Sequence, residues 1–444
     1  MKTICVISLG CPKNLVDSEK ILALTAEKGL AVVAEPEQAD VVVLNTCAFL
    51  QKAVAESRQY LRQLVKLKKR KKQKLLVVGC LVQREGRRLL LQKEIDALVG
   101  TGDPAEVARA LEDVFSGKRP FRCVPGTFLS NKAYPRLVTT APYAYLKIAE
   151  GCSNFCRYCL IPALRGPLRS FPLTVLLSEA KALRRQGLKE LILVAQDTAA
   201  YGRETGRKGQ LAFLLKKLCQ LGFPWVRLLY AHPAHLKDDV LEVMLNHRCF
   251  CRYLDLPFQH AHPEMLAKMG RPVIDARATV EWLRKTVPGL RLRSSFLVGF
   301  PGEKEKHFQF LVDFLRQARL DRVGVFGYSR EKGTAAYHDR DQLPGQVIRE
   351  RRKYLLQVQR EISREKMKEL VGQTLPVLVE KKARQFWLGR TEFDAPEIDG
   401  LVKIRAEKLT VGEFVPVKIT GSDDYDLEGQ VCLKMSPKEG AWTA

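Results

Sequence analysis

The chain has 444 residues, 46% of them apolar and 28% charged, with twelve cysteines and a formal net charge of +25 at pH 7. No apolar stretch approaches the ~18 residues that cross a bilayer, and the N-terminus lacks a small-residue cleavage site, so no membrane span or signal peptide is expected and the default address is cytoplasmic. The positive charge points to a polyanionic neighbour, most simply RNA or a ribonucleoprotein, and cysteines at metal-ligand spacings point to metal or redox chemistry rather than disulfides.

Residues 1–125 repeat one unit. TICVISLGC (3–11), ADVVVLNTC (39–47) and KLLVVGC (74–80) are short, β-branched runs, and each ends in a cysteine. Amphipathic helical patterns follow at 17–28 and 51–66, which predicts a parallel α/β sheet, open and wound on both faces. In such sheets the carboxyl ends of the strands line the binding crevice. Cys11, Cys47 and Cys80 are separated by 36 and 33 residues. One strand–helix–strand repeat takes about that length, so the three thiols can project from neighbouring strand ends. On spacing alone they are either three ligands to one metal centre or three unrelated half-buried cysteines. VKLKKRKKQK (65–74) holds seven cationic residues. It reads as a solvated helix end, with an RNA contact as the sharper alternative. A Pro- and Gly-containing stretch then reads as a linker, placed at 126–140.

Residues 141–370 alternate again. The strand-like runs are YLKIAEG, ELILVAQD, WVRLLYAHP, YLDLPFQH, LRSSFLVGFP and RVGVFGYS, and a charged helix over about 343–370 leads out. Six such repeats predict a partial TIM-like (βα)6 barrel with its site at the C-terminal strand ends. Just after the first of these strands, EGCSNFCRYCLIP places Cys152, Cys156 and Cys159 in a C-x3-C-x2-C triplet. Three thiolates suit an iron–sulfur cluster, which takes soft ligands. A zinc site needs a fourth ligand, and this loop has no histidine. A four-iron cluster on three thiolates leaves one iron free to bind a small molecule. Gln196 and Asp197 end the second strand, and Gln259 and His260 end the fourth, where polar side chains are placed to hold a cofactor. Arg293 either contacts that cofactor or pairs with a carboxylate; for each of these residues a structural turn or ion pair is the competing reading. His232 and His235 read as polar loop residues. Cys5, Cys123, Cys219, Cys249, Cys251 and Cys432 match no cluster spacing, and the Cys249/Cys251 pair reads as packing.

Residues 371–438 hold five short runs with turn signals, TLPVLVEKK, FWLGRTE, GLVKI, EFVPVKITG and GQVCLKM. They predict a small five-stranded β-barrel, a common macromolecule-binding module. Residues 371–435 carry nine basic and eleven acidic side chains, a net of −2, against +27 for residues 1–370. A barrel that holds nucleic acid should be basic, so this acidity favours a cationic protein ligand.

The cysteine triplet, with Tyr158 before its last member, resembles the radical S-adenosylmethionine (SAM) signature. SLGCPKNLVDSE, NTCAF and VGC resemble the N-terminal domain of the methylthiotransferases, and the third segment resembles their TRAM domain. The resemblance runs in order through essentially the whole chain. It assigns 1–125 to that N-terminal domain, 141–370 to the radical SAM barrel with its exit helix, and 371–438 to the α/β chain's all-β TRAM barrel. Within the family, SLGCPKN, AQDTAAYG, DLPFQHA and DAPEIDG are similar to the RimO-type branch, which acts on ribosomal protein uS12. The transfer RNA branch has different residues beside the first cysteine.

The resemblance implies two 4Fe-4S clusters. One, on Cys152, Cys156 and Cys159, chelates SAM and cleaves it to a 5′-deoxyadenosyl radical, which takes hydrogen from the β-carbon of a uS12 aspartate. Sulfur delivered at the other, on Cys11, Cys47 and Cys80, traps the substrate radical, and a second SAM supplies the methyl group. No catalytic side chain beyond the cluster ligands is implied. LVGFPGE, with Gly299, Gly302 and Glu303, resembles the family's glycine-rich segment beside the adenine. Phe171 departs from the pattern, since the family usually has a second arginine there. The expected partners are uS12, free or in a ribosomal particle, an electron donor and a sulfur donor, with ribosomal RNA against the basic surface; a monomer suffices. The alternatives are a transfer RNA methylthiotransferase and a non-catalytic iron–sulfur protein that binds ribosomes or RNA.

Overall fold

The computed structural model describes residues 1–123 and 129–432. The start of the expected linker (126–128) and the end of the expected third domain (433–438) lie outside the described residues. Among the described residues no helix is long and apolar enough to cross a membrane.

The β-branched runs of the first segment become β1 (Thr3–Ser8), β2 (Ala31–Val32), β3 (Val41–Thr46), β4 (Lys74–Gly79), β5 (Ala97–Val99) and β6 (Phe121–Arg122). They form one parallel sheet in the order β2-β1-β3-β4-β5-β6. β3 is buried at every position, as a sheet covered on both faces requires. On one face Ile4, Val41, Val43 and Leu76 pack against Ile21, Val107 and Leu111 of the helices Pro12–Glu27 and Ala105–Phe115. On the other, Val42, Leu44, Leu75 and Val77 pack against Leu61 and Leu64 of the helix Gln51–Lys71. β1, β3 and β4 are immediate neighbours, so the chain leaves the sheet side by side at Cys11, Cys47 and Cys80.

The second sheet begins with β7 (Tyr143–Lys147). A short antiparallel pair, β8 (Ala149–Glu150) and β9 (Arg169–Ser170), then brackets the loop that carries the cysteine triplet. β10 (Glu190–Val194), β11 (Trp225–Leu228), β12 (Phe250–Asp255), β13 (Arg291–Val298) and β14 (Arg322–Gly327) continue the sheet. The order is β7-β10-β11-β12-β13-β14, all parallel and sequential, with helices outside: the open (βα)6 barrel. The exit helix Gly345–Lys368 packs Leu355, Val358 and Ile362 onto the barrel's outer core. β15 (Thr374–Lys382), β16 (Trp387–Arg390), β17 (Val402–Arg405), β18 (Phe414–Ser422) and β19 (Leu427–Val431) then close into a five-stranded barrel around Val377, Val379, Val402, Ile404, Val417 and Ile419.

The neighbouring domains share the lumen of the large barrel. Tyr145, Ile192, Val194 and Tyr253 pack with Val16 of the first domain and with Leu378 and Ala395 of the third. At the starting ends of the strands, the loop after β16 is keyed in by charge. Glu190, the first residue of β10, accepts from Arg227 Nε at 2.6 Å and Arg390 Nη2 at 2.5 Å. Arg322 donates to Asp394 at 2.6 Å, and Tyr253 to Asp399 at 2.6 Å. Asp424 pairs with Arg364 at 2.6 Å and with Arg360, both on the exit helix. This corrects the charge argument made from the sequence. Of the acids of TEFDAPEIDG, Asp394 and Asp399 face the protein's own Arg322 and Arg293, while Glu392 and Glu397 accept from the Arg252 N–H and the Tyr143 hydroxyl, so their number does not measure the charge offered to a partner.

Candidate functional site

Cys11 sits at the N-cap of the helix Pro12–Glu27, in extended conformation, and Cys80 opens the helix Cys80–Glu85. Cys47 follows β3, and its N–H and C=O are both bonded to the Ser57 hydroxyl, at 3.2 and 2.8 Å. Close approach is built in by Gly10, whose φ is +92°. A Cβ there would lie 2.6 Å from Cys47 Cβ and 2.9 Å from its sulfur. Burial pushes Cys47 up to about 11, aided by the neighbouring Cys11 and Cys80, and burial also raises Cys80. Burial acts on Cys11 too, but the charges of Lys13 and Arg165 and two backbone amides outweigh it and hold that thiol below its ordinary value.

In the barrel loop, Cys152 N–H donates to Gly166 O at 3.1 Å and Cys159 N–H to Cys156 O at 2.9 Å. Phe155, between the first two cysteines, adopts a φ of +50°. Arg271 lies on the loop, with Nη1 3.3 Å from the Tyr158 hydroxyl and 3.7 Å from Cys156 Sγ. Burial raises Cys152 to about 11 and Cys159 to about 12. Both triads therefore fit an iron–sulfur centre in donor chemistry: soft sulfur, buried at Cys80 and Cys152 and half-buried at the other four, that a bound cation would turn to thiolate with release of protons.

Around the mouth, Asp197 accepts from Asn154 Nδ2 of the cysteine loop at 2.9 Å, from His235 Nδ1 at 2.6 Å and from the His232 amide at 3.2 Å. Burial raises that carboxyl, but His235 more than offsets it, leaving it below the usual range. Gln196 donates to Glu150 at 3.3 Å, while its Oε1 is buried without a partner. Gln259 takes a φ of +68° and is tied by its backbone to β13. His260 Nδ1 accepts from the His262 amide at 2.9 Å, and its Nε2, like that of His232, is buried without a partner. Glu303 Oε2 accepts from Gly299 N–H at 3.0 Å, and Oε1 accepts from Arg351 of the exit helix at 2.5 Å. Arg293 is the outlier of the expected set, held by Asp255 at 3.1 Å and by Asp399 of the third domain at 3.3 Å.

The two thiol sets are joined through Arg165. Its Nη2 donates to Cys80 Sγ at 3.4 Å and to Asn14 Oδ1 at 2.6 Å, and its Nη1 donates to Glu150 at 2.8 Å. Glu150 lies two residues before Cys152 and also accepts from Lys147 at 2.9 Å. Lys147 in turn pairs with Asp17. A second buried group runs through the stretch read as a linker. Arg136 there bonds Glu179 at 3.0 Å and Glu19, and Lys20 bonds Glu179 at 2.8 Å.

Three family models match this chain: the uncharacterized protein family UPF0004 over residues 3–100, the radical SAM superfamily over 146–315 and the TRAM domain over 371–432. The ribosomal protein uS12 methylthiotransferase RimO of Desulfitobacterium hafniense is 42% identical over 97% of this chain and 98% of its own. The protein of the same name from Pelotomaculum thermopropionicum is 44% identical over 96% and 99%. The chain belongs to the RimO family. It is thus a radical SAM methylthiotransferase, using SAM and a 4Fe-4S cluster. Among solved structures, the radical SAM methyltransferase TsrM from Kitasatospora setae has a TM-score of 0.59 at 13% identity, over 82% of this chain and 89% of that one. The cobalamin-dependent SAM radical enzyme OxsB has a TM-score of 0.51 at 11% identity, over 80% and 56%. Both likenesses concern the fold.

In this RimO-family chain Phe171 turns its ring toward two ammonium groups, Lys20 at 5.6 Å and Lys147 at 5.9 Å. An arginine there would add a further cation to Lys20, Lys147 and Arg136, whereas an aromatic face attracts them. Arg165, Glu150 and Asn14 escaped the sequence reading, because their partners are distant in the chain. His232 and His235 stack at 4.5 Å beside Asp197, and only their place after the third barrel strand hinted at it. His262, Glu264 and His307 bring potential ligand atoms within 4.8 Å of one another, but they are helix caps. Nδ1 of His262 accepts from Glu264 N–H and Nδ1 of His307 from Lys304 N–H. Each neutral ring then carries its proton on Nε2 and has no lone pair left for a metal.

Proposed function

We propose that the chain methylthiolates ribosomal protein uS12 in the cytoplasm, converting a C–H on the β-carbon of an aspartate to C–SCH3, with two iron–sulfur clusters. The observation that carries this reading is the span of Arg165, from Cys80 of one thiol set to Glu150 beside the other. That link supports a crevice in which both sets face one substrate carbon, which is what abstraction followed by sulfur transfer demands.

Cys152, Cys156 and Cys159 would hold the cluster that binds SAM and supplies the electron for carbon–sulfur cleavage. Cys11, Cys47 and Cys80 would hold the second, the point of sulfur delivery. Gln196, His232 and His260 offer buried polar atoms without partners, and we assign Gln196 and His260, with Gln259 and the Gly299–Glu303 turn, to the SAM cradle. Asp197 positions the cysteine loop through Asn154 and carries the His232/His235 stack. Leu15 and Val16 of the first domain cover the lumen and exclude water. Arg293 supports the floor through Asp255 and Asp399. In the basic run 65–74, Lys68, Lys69 and Lys74 pair with Asp96 and Glu94, and the exposed Lys66, Arg70, Lys71 and Lys72 support contact with ribosomal RNA around uS12.

The test is mass analysis of uS12 and, in parallel, bulk transfer RNA after anaerobic incubation with reconstituted protein, reductant, sulfide and SAM. A methylthio increment on one uS12 aspartate is expected. The same increment on transfer RNA instead would overturn the substrate assignment and leave the radical chemistry.

A further inference from the structure

We propose that the ammonium of Lys13 binds the side-chain carboxylate of the target residue and so selects aspartate. The inference rests on the preceding reading that an aspartate of uS12 is modified, and it adds the group that recognises it.

Most other cations of the crevice are held by carboxylates, and Arg271 is taken up by Tyr158, Cys156 and the Pro257 carbonyl. Arg165 and Lys147 are held by Glu150, Lys20 and Arg136 by Glu179, and Arg293 by Asp255. Lys13 is only half-buried, and among the described residues no carboxylate lies within 4 Å of its nitrogen. Its nitrogen rests instead 3.8 Å from the centre of the Tyr230 ring and 3.5 Å from the carbonyl of Ala195. An ammonium has three donors; a long bond to one carbonyl and a ring face leave it capacity for an anion.

Its position is the one a substrate carboxylate must reach. Lys13 is two residues beyond Cys11, and Ala195 is the residue before Gln196, at the mouth end of β10. Tyr230 follows β11 with a φ of +59° and is fixed by its amide on Asp255 at 3.1 Å. Lys13 therefore reaches from the first domain, two residues beyond Cys11, onto the barrel mouth beside Gln196. The carboxylate of an aspartate is one bond from its β-carbon. A β-carbon held between the clusters carries that carboxylate into the same desolvated space, where an unpaired charge is costly. The free ammonium beside Tyr230 supplies the counter-charge, and charge-assisted hydrogen bonds are the strong ones.

The experiment measures binding of two peptides spanning the uS12 target segment, one with aspartate and one with asparagine at the target, to the reconstituted holoenzyme. Wild type is compared with Lys13→Met and Lys13→Arg, each checked first for iron and sulfide content, because Lys13 neighbours Cys11. Wild type is expected to prefer the aspartate peptide by about tenfold or more, the scale of a hydrogen bond to a charged group. Lys13→Met should bind both peptides alike, and Lys13→Arg should restore part of the preference. If Lys13→Met loses iron, Lys13→Gln takes its place. A purely structural lysine would weaken both peptides equally and keep their ratio, and that result overturns the proposal, as does a wild type without preference. Absence of any modification of uS12 by wild type is a separate result, and it removes the parent reading itself.

Discussion

Arg165 lies in the barrel domain yet donates to the sulfur of Cys80 in the first domain at 3.4 Å, while its other nitrogen holds Glu150 at 2.8 Å. One buried guanidinium thus serves a thiol that needs positive charge and a carboxylate that precedes the second cysteine loop. Attraction to Cys80, then to Glu150, Asp17 and Cys11, holds Arg165 well above its ordinary value despite burial.

Arg165→Met should therefore act on both domains. Removing one partner of a buried charge cluster leaves the others uncompensated, at a cost of about 3–5 kcal/mol. Lys147 still reaches Glu150, so a loss near the lower end is expected. Urea denaturation of the apoprotein checks this. Iron content at the first-domain site should fall with it, and iron loading equal to wild type would show that Cys80 does not need the guanidinium.

The docking of the third domain turns on Glu190. Arg227 and Arg390 both bond this fully buried carboxylate, and Arg227 reaches the Glu392 carbonyl at 2.8 Å. Glu190→Gln should cost about 3–5 kcal/mol and expose the 391–400 loop to limited proteolysis. A variant cut no faster than wild type there would mean that the apolar contacts of Leu378 and Ala395 suffice to hold the domain.

What the sequence made legible follows from period and length. The cysteine-ended runs before Cys11, Cys47 and Cys80 became the adjacent strands β1, β3 and β4, and the six barrel runs became six sequential strands, because each is a continuous apolar stretch bounded by turn residues. β2, β5 and β6, of two or three residues, are too short to carry a period. Pairings between domains left no local trace. Arg165 and Cys80 are 85 positions apart, and Arg136, in a stretch that reads as a linker, is a buried clasp on Glu19 and Glu179. Net charge pointed to a protein ligand on an incomplete ground: counting acids in the third domain does not show that Asp394 and Asp399 are already paired with Arg322 and Arg293.

The two thiol sets should separate by substitution. Cys152→Ala with Cys156→Ala and Cys159→Ala should abolish 5′-deoxyadenosine formation from SAM. Cys11→Ala with Cys47→Ala and Cys80→Ala should lose sulfur transfer while some SAM cleavage persists. Chromatography of 5′-deoxyadenosine beside mass analysis of uS12 reads both. Equal loss of cleavage in the two triple variants would mean that the sets do not act as separate centres.

Acid stability should be governed first by two histidines. Burial holds His232 and His260 near 3, against an ordinary value of 6.5. Their folded values lie below the unfolded one, so the unfolded chain takes up protons first as pH falls. The stability from keeping these rings neutral is complete above pH 6.5 and is lost progressively between 6.5 and 3. Well below 6.5 each contributes a slope of about 1.4 kcal/mol per pH unit. Glu179 and Glu190 are held below the usual carboxylate value of 4.5 by their lysine and arginine partners, which outweigh burial, so their contribution is lost only in more acidic solution. Urea denaturation of the apoprotein between pH 6 and 4.5 reads this window, in which Glu303, Glu392 and Asp399, raised by burial, act in the opposite direction. His260→Asn should lower the slope there by about 1.4 kcal/mol per unit relative to wild type, and parallel pH profiles would show that His260 is not held neutral by the fold.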